Sequence, residues 1–117
     1  MGNASAPEVA EMYDSPEGQL GPILFGGHLH WGYWDQASAD ADFATAAERL
    51  TKLMIDTTGI GAGQKFIDLG CGVGLAARKL AQVRQCRVEG ITISRLQQQS
   101  ASVQALAAGT QDQVSFM

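Results

Sequence analysis

The sequence predicts an α/β protein built on a parallel sheet, and three features carry that prediction. Two short apolar runs, Lys65–Leu69 and Arg87–Ile93, have the length and composition of strands. Each is followed by a segment with helical spacing of its apolar residues. The turn after the first run places glycines at alternate positions, Gly70, Gly72 and Gly74, which lets a strand bend sharply into a helix. A chain that alternates strand and helix in this way winds in the right-handed sense.

The elements follow in order. Residues 1–36 hold all three prolines and several glycines without a sustained period, which predicts an irregular or short-helical arm. Phe25, Trp31, Tyr33 and Trp34 lie close together in this arm. That much aromatic surface is expected to fold back, either as a clasp over the core or as a lid over a ligand pocket. Residues 37–117 form the sheet-bearing part. Phe43, Ala46, Ala47, Leu50, Leu53, Met54 and Thr57 mark one face of a helix entered through Ser38 or Asp40 and left at Gly59. Lys65–Leu69 reads as a strand buried on both faces. After the glycine turn, a helix with Leu75, Leu80 and Val83 inward runs to about Arg84. Arg87–Ile93 is the second strand, Ser94–Ala108 a helix closed by Gly109, and Val114–Met117 the start of a third strand.

Three strands make about half of a doubly wound sheet, in which the first strand is central. The first strand would then carry a bare edge, an invitation to pairing, so the rest of the domain, a second chain or a homo-oligomer is expected to cover it.

Composition narrows the function. The 117 residues are 45% hydrophobic and 17% charged, a globular mixture with a formal net charge of −4. The charge is uneven: nine acids against Arg49 and Lys52 through Asp56, then six bases against three acids. The overall sign disfavours a nucleic-acid partner, and the basic stretch from Arg78 to Arg95 suits the outer face of a surface helix. Two cysteines, Cys71 and Cys86, form no disulfide framework, and no targeting or membrane-spanning segment is visible, so a cytoplasmic protein is expected. His28, His30, Cys71 and Cys86 lack the paired spacing of a zinc site, and no metal is expected.

The segment from Phe66 to Gly74 carries the most chemistry. An acid, Asp68, stands at the penultimate strand position, and the helix after the glycines aims free amides and a positive dipole end at whatever lies there. Such a site suits a carboxylate or a nucleoside. The dinucleotide fingerprint needs a glycine where Leu75 stands, which disfavours a nicotinamide cofactor.

The stretch Asp68-Leu-Gly-Cys-Gly-Val-Gly74 resembles the first motif of class I methyltransferases that use S-adenosylmethionine, a Rossmann-like fold. The resemblance implies that Gly70 and Gly72 lie against the methionine end of the cofactor and that Asp68 helps hold its ammonium group. The ribose-facing residue belongs at the end of the second strand, so Glu89, three residues or ~10 Å before Thr92, sits too low. Thr92 stands where most of the class have an acid. Gly90-Ile-Thr-Ile-Ser-Arg-Leu-Gln97 is similar to the cyclopropane-synthase-like and tocopherol-methyltransferase-like branch, in which Thr92, with Ile93 beside it, and Gln97 would contact the adenosine. Gln97 has a competing role, since Ser94 and Gln97 also form a capping box.

Tyr13-Asp14 and Leu29-His-Trp-Gly-Tyr-Trp34 resemble the arm of the same branch and of bacterial natural-product tailoring methyltransferases. By that resemblance Tyr13, Leu29 and His30 would touch the cofactor, while Trp31 and Trp34 would pack. His30 is also the one candidate general base, against a packed or cofactor-contacting role. The implied reaction is an in-line displacement at a sulfonium methyl, yielding S-adenosylhomocysteine and a methylated small molecule, with reactants brought to ~3 to 3.5 Å. The acceptor-binding and catalytic segments of the family have no counterpart in these residues. The alternative is a non-catalytic module of the same fold completed by a partner.

Overall fold

The structure is a computed structural model that describes residues 2–117. Helices α1 (Ala6–Asp14) and α2 (Pro16–Leu24) form a hairpin. A 3-10 turn at Gln36–Ser38 precedes α3 (Phe43–Thr57). Then follow β1 (Lys65–Leu69), α4 (Leu75–Arg84), β2 (Arg87–Ile91), α5 (Arg95–Ala107) and β3 (Val114–Phe116). The strands form one parallel sheet in the order β1-β2-β3, with Leu69 opposite Ile91 and Gly90 opposite Phe116.

β1 is therefore an edge strand, and the expectation that it is buried on both faces fails. Ile67 is 54% exposed and Leu69 77%. Helices cover only the face carrying Phe66, Val88 and Val114, where Ile55, Ala77, Leu80, Ala81 and Ala105 close the core. The opposite face, with Ile67 and Leu69, is open and carries the Lys65–Glu89 ion pair at 2.6 Å. Glu89 thus has a partner on the sheet, below the strand ends.

Other details are corrected by local chemistry. Asp42, not Ser38 or Asp40, caps α3: its Oδ1 accepts from Thr45 N at 2.7 Å, while Ser38 Oγ donates to Asp35 across the preceding turn. The buried face of α3 is Ala46, Ala47, Thr51 and Ile55, and Leu53 and Met54 are exposed, because Thr51 satisfies its hydroxyl against two histidines. Val83 points outward; Ala77, Arg78, Leu80 and Ala81 form the inner face of α4, with Arg78 donating to Val73 O and Gln104 Oε1. β2 ends at Ile91 rather than Ile93, although Met117 N donates to Gly90 O and Thr92 N to Met117 O, which carries the pairing with the third strand one step further. Trp34 packs against Phe43 and donates to Ala41 O, but Trp31, although it leans on Phe43, is 78% exposed. Its expected packing is not met by these residues.

Candidate cofactor site

The carboxyl ends of β1 and β2 finish side by side and are fastened together. Gly70 N and Cys71 N both donate to Ile91 O, at 2.7 and 2.9 Å. Each glycine of the turn has its own task. At Gly70, φ is +78° and a β-carbon would meet nothing within 4 Å, so bare backbone faces open space. At Gly72 a β-carbon would lie 2.7 Å from Leu29 Cδ1, so the missing side chain makes room for the arm. Gly74 packs against the ring of Phe116 and also lines the cavity beside Asp68. No side chain caps the start of α4, which leaves its dipole end available next to the turn.

Seven of the predicted residues surround one cavity of about 480 Å³: Tyr13, Leu29, Gly70, Gly72, Thr92, Ile93 and Gln97. Gln97 gives this cavity its polarity. Ser94 Oγ accepts from Gln97 N at 3.0 Å, so the capping box is half made, but the Gln97 carboxamide does not turn back to complete it. Ser94 N donates instead to Thr92 Oγ1 at 3.2 Å, and Thr92 Oγ1 donates to Gln97 Oε1 at 3.3 Å. Gln97 is 4% exposed and its Nε2 has no partner. Whichever way the amide is turned, one of its two atoms is left over. An unmet amide of this kind costs about 1 to 3 kcal/mol, which a ligand acceptor in the cavity would recover.

Asp68 and His30 line the adjoining cavity, also about 480 Å³, which shares Leu29, Leu69, Gly70 and Gly72 with the first. Asp68 has no hydrogen-bond or ion-pair partner among the described residues, and burial pushes its carboxyl above the usual range. The group lacks the cation that would favour its charged form. Cys71 is pushed up to about 11 by burial and by the charge of Asp68, so its thiol stays protonated and inert at neutral pH. Among the described residues no three His, Cys, Asp or Glu side chains gather as a metal set.

Both ring nitrogens of His30 are used within the chain: Nδ1 lies 2.7 Å from Trp31 O and Nε2 2.8 Å from Thr51 Oγ1. Thr51 also meets His28 Nδ1 at 3.2 Å, and His28 Nε2 donates to Glu48 at 3.0 Å. The carbonyl and the carboxylate accept only, so the neutral rings carry Nδ1–H in His30 and Nε2–H in His28, and the single Thr51 hydroxyl proton serves one of the two facing nitrogens at a time. Leu29, between the two, is thereby presented to Gly72. Burial holds the pKa of His28 below its ordinary value, against the opposing hydrogen bond to Glu48. A depressed histidine contributes stability above its unfolded pKa of about 6.5 that is lost as pH falls through the folded value. We therefore expect the thermal midpoint to drop between pH 7 and pH 5, and His28→Gln to flatten that slope.

Sequence reading missed two members of this region. Thr51 was hidden because a threonine among apolar helical residues reads as neutral. Asp14 accepts hydrogen bonds from Ser94 Oγ and from Leu96 N, the latter at 3.3 Å, across 80 residues of sequence. No local pattern announces such a contact.

Residues 31–117 match the family described as mycolic acid cyclopropane synthetase. The chain is 37% identical over 106 residues to (+)-O-methylkolavelool synthase of Herpetosiphon aurantiacus, covering 89% of this chain and 38% of that protein. It superposes on the crystal structure of the [4+2]-cyclase SpnF with a TM-score of 0.84 at 31% identity, covering all of this chain and 43% of that one. It also matches a geranyl diphosphate methyltransferase in complex with SAM, at a TM-score of 0.69 and 25% identity over 77% of this chain and 42% of that one. The chain thus spans less than half the length of these proteins. With the glycine turn, the parallel order β1-β2-β3 and this match, the chain belongs to the mycolic acid cyclopropane synthetase family, within the class I S-adenosylmethionine-dependent methyltransferases.

Proposed function

We propose that the chain is the S-adenosylmethionine-binding part of a methyltransferase that modifies a small natural-product or lipid-like acceptor. The observation that carries this reading is the convergence of both strand ends on one cavity, with an unpartnered Gln97 amide in its wall. Asp68 would hold the cofactor's ammonium group, Gly70 and Gly72 would give its methionine end close approach to backbone, and Thr92, Ile93 and Gln97 would take the adenosine. Tyr13 and Leu29 would close the cavity from the arm, and His30 would hold Leu29 in place through Thr51. The cofactor supplies an electrophilic methyl on sulfonium; the chain's residues bind, orient and exclude water. Methylation of a hydroxyl also releases a proton, and the group that takes it belongs with the acceptor. His30 would have to give up its bond to Thr51 to serve.

The terpenoid acceptors in the names of two similar proteins support the acceptor class. A second reading, a binding module without methyl transfer, is favoured by the open face and bare edge of β1 and by the likeness to a cyclase. Incubation of the chain, completed by the strands that cover β1, with methyl-labelled S-adenosylmethionine and a terpenoid alcohol separates the two. In either reading, strands from the remainder of the domain or from another chain complete the sheet at β1, and native mass spectrometry should show an assembly larger than one 12.4 kDa chain. A stable folded monomer would contradict that completion.

The binding claim is tested by calorimetry with S-adenosylhomocysteine. The wild-type chain should bind, and Gly72→Val, which drives a branched side chain into Leu29, should abolish binding. Equal affinities would reject the site.

A further inference from the structure

We propose that Asp14 is a positioning residue, a latch that fastens the α1–α2 hairpin over the cofactor cavity and so sets how long the cofactor stays. The proposal rests on the reading of that cavity as the S-adenosylmethionine site.

Neither α1 nor α2 contains a buried residue, and Leu20, Ile23 and Leu24 of α2 are exposed, so the hairpin has little apolar burial to hold it down. Elements held by so few buried contacts open at low free-energy cost. Among the described residues, the only side-chain hydrogen bonds from these helices to the sheet-bearing part are those of Asp14, which accepts from Ser94 Oγ and Leu96 N. Its carboxylate also sits at the amino end of α5, where the helix dipole favours negative charge.

The other end of the latch is the cofactor wall. Ser94 is fully buried, and the hydroxyl that donates to Asp14 accepts from Gln97 N. Asp14 is thus one residue from Tyr13, which lines the cavity, and one hydroxyl from the turn that carries Gln97. The corner between the helices transmits this placement rigidly. Ser15 Oγ donates to Met12 O and accepts from Gly18 N, and Gln19 Nε2 donates to Tyr13 O at 2.9 Å. A β-carbon at Gly18 would lie 2.5 Å from Met12 O and 2.6 Å from Tyr13 O, so the two helices are in backbone contact. Moving Asp14 moves Tyr13.

Hydrogen exchange on the full 117-residue chain, with and without S-adenosylhomocysteine, is the test. Amides of residues 6–24 should exchange slowly in wild type and more slowly with the nucleoside. Asp14→Ala should speed their exchange with and without it, and should raise its dissociation rate about ten-fold, while residues 92–97 remain protected by it. Asp14→Asn keeps an acceptor oxygen and should fall between. Wild-type exchange in residues 6–24 of Asp14→Ala would overturn the latch, and so would weaker binding with no change in that exchange. If the wild-type chain does not bind S-adenosylhomocysteine, the cofactor reading fails, while the nucleoside-free exchange of Asp14→Ala still judges the fastening.

Discussion

Gly74→Ala should unfold or nearly unfold the chain, although the added group is one methyl. At this position φ is +77°, and a β-carbon would lie 2.4 Å from Phe116 Cζ, 2.6 Å from Phe116 Cε1 and 3.1 Å from Ala101 Cβ. Overpacking of this kind costs about 1 to 3 kcal/mol and a left-handed non-glycine residue about 1 to 2 more. Against a typical stability of about 5 to 15 kcal/mol for a whole domain, and less for three strands covered on one face, that sum removes much of the fold. The ring of Phe116 is wedged between Gly74 and Gly90, where a β-carbon would lie 2.6 Å from Phe116 Cδ1. The double substitution Gly74→Ala with Phe116→Leu should therefore recover part of the loss. Gly70→Ala, four residues away, meets nothing within 4 Å and should stay folded. Urea denaturation of the three variants checks the order, and a Gly74→Ala midpoint equal to wild type would contradict the packing role.

Asp68→Asn should weaken binding of S-adenosylhomocysteine about ten- to a hundred-fold while making the empty protein more stable. The first effect is the loss of a charged partner for the ligand's ammonium, worth about 1.5 to 3 kcal/mol. The second follows from the direction of the pKa. Burial raises the Asp68 carboxyl and no cation among the described residues offsets it. A raised acid contributes stability below its unfolded pKa and loses it as pH rises through the folded value. At pH 7 the buried wild-type carboxyl is therefore a burden that asparagine relieves, and the difference should vanish below about pH 4. Thermal melts at pH 7 and pH 3.5 would show this. An unstable Asp68→Asn at pH 7 would mean that the carboxylate serves the fold and not a ligand.

Much of this was legible in the residues because it is local. A strand of five residues, an acid before its end and alternating glycines specify a turn whose backbone must face outward, and Lys65–Leu69 appears with those bounds. Thr92 was legible because the distance along a strand puts it, and not Glu89, at the crevice, whereas Gln97 came from the resemblance of Gly90–Gln97 to one branch of the class. What escaped depended on partners distant in sequence. The inward face of α3 was misread because Thr51 is drawn in by His28 and His30, and its cap because Asp42 competes with two equally good neighbours. Burial of β1 on both faces presupposed a complete sheet. The distinct task of Gly74 was invisible because its reason is a phenylalanine 42 residues later, at the end of β3.

The central claim is that the ends of β1 and β2 jointly hold one nucleoside, and amide NMR during titration with S-adenosylhomocysteine tests it most directly. The backbone signals of Gly70, Gly72 and Thr92 and the side-chain amide of Gln97 should shift together along one saturation curve. Saturable binding that leaves the Gln97 amide and either turn unmoved, or no binding at all, would contradict it.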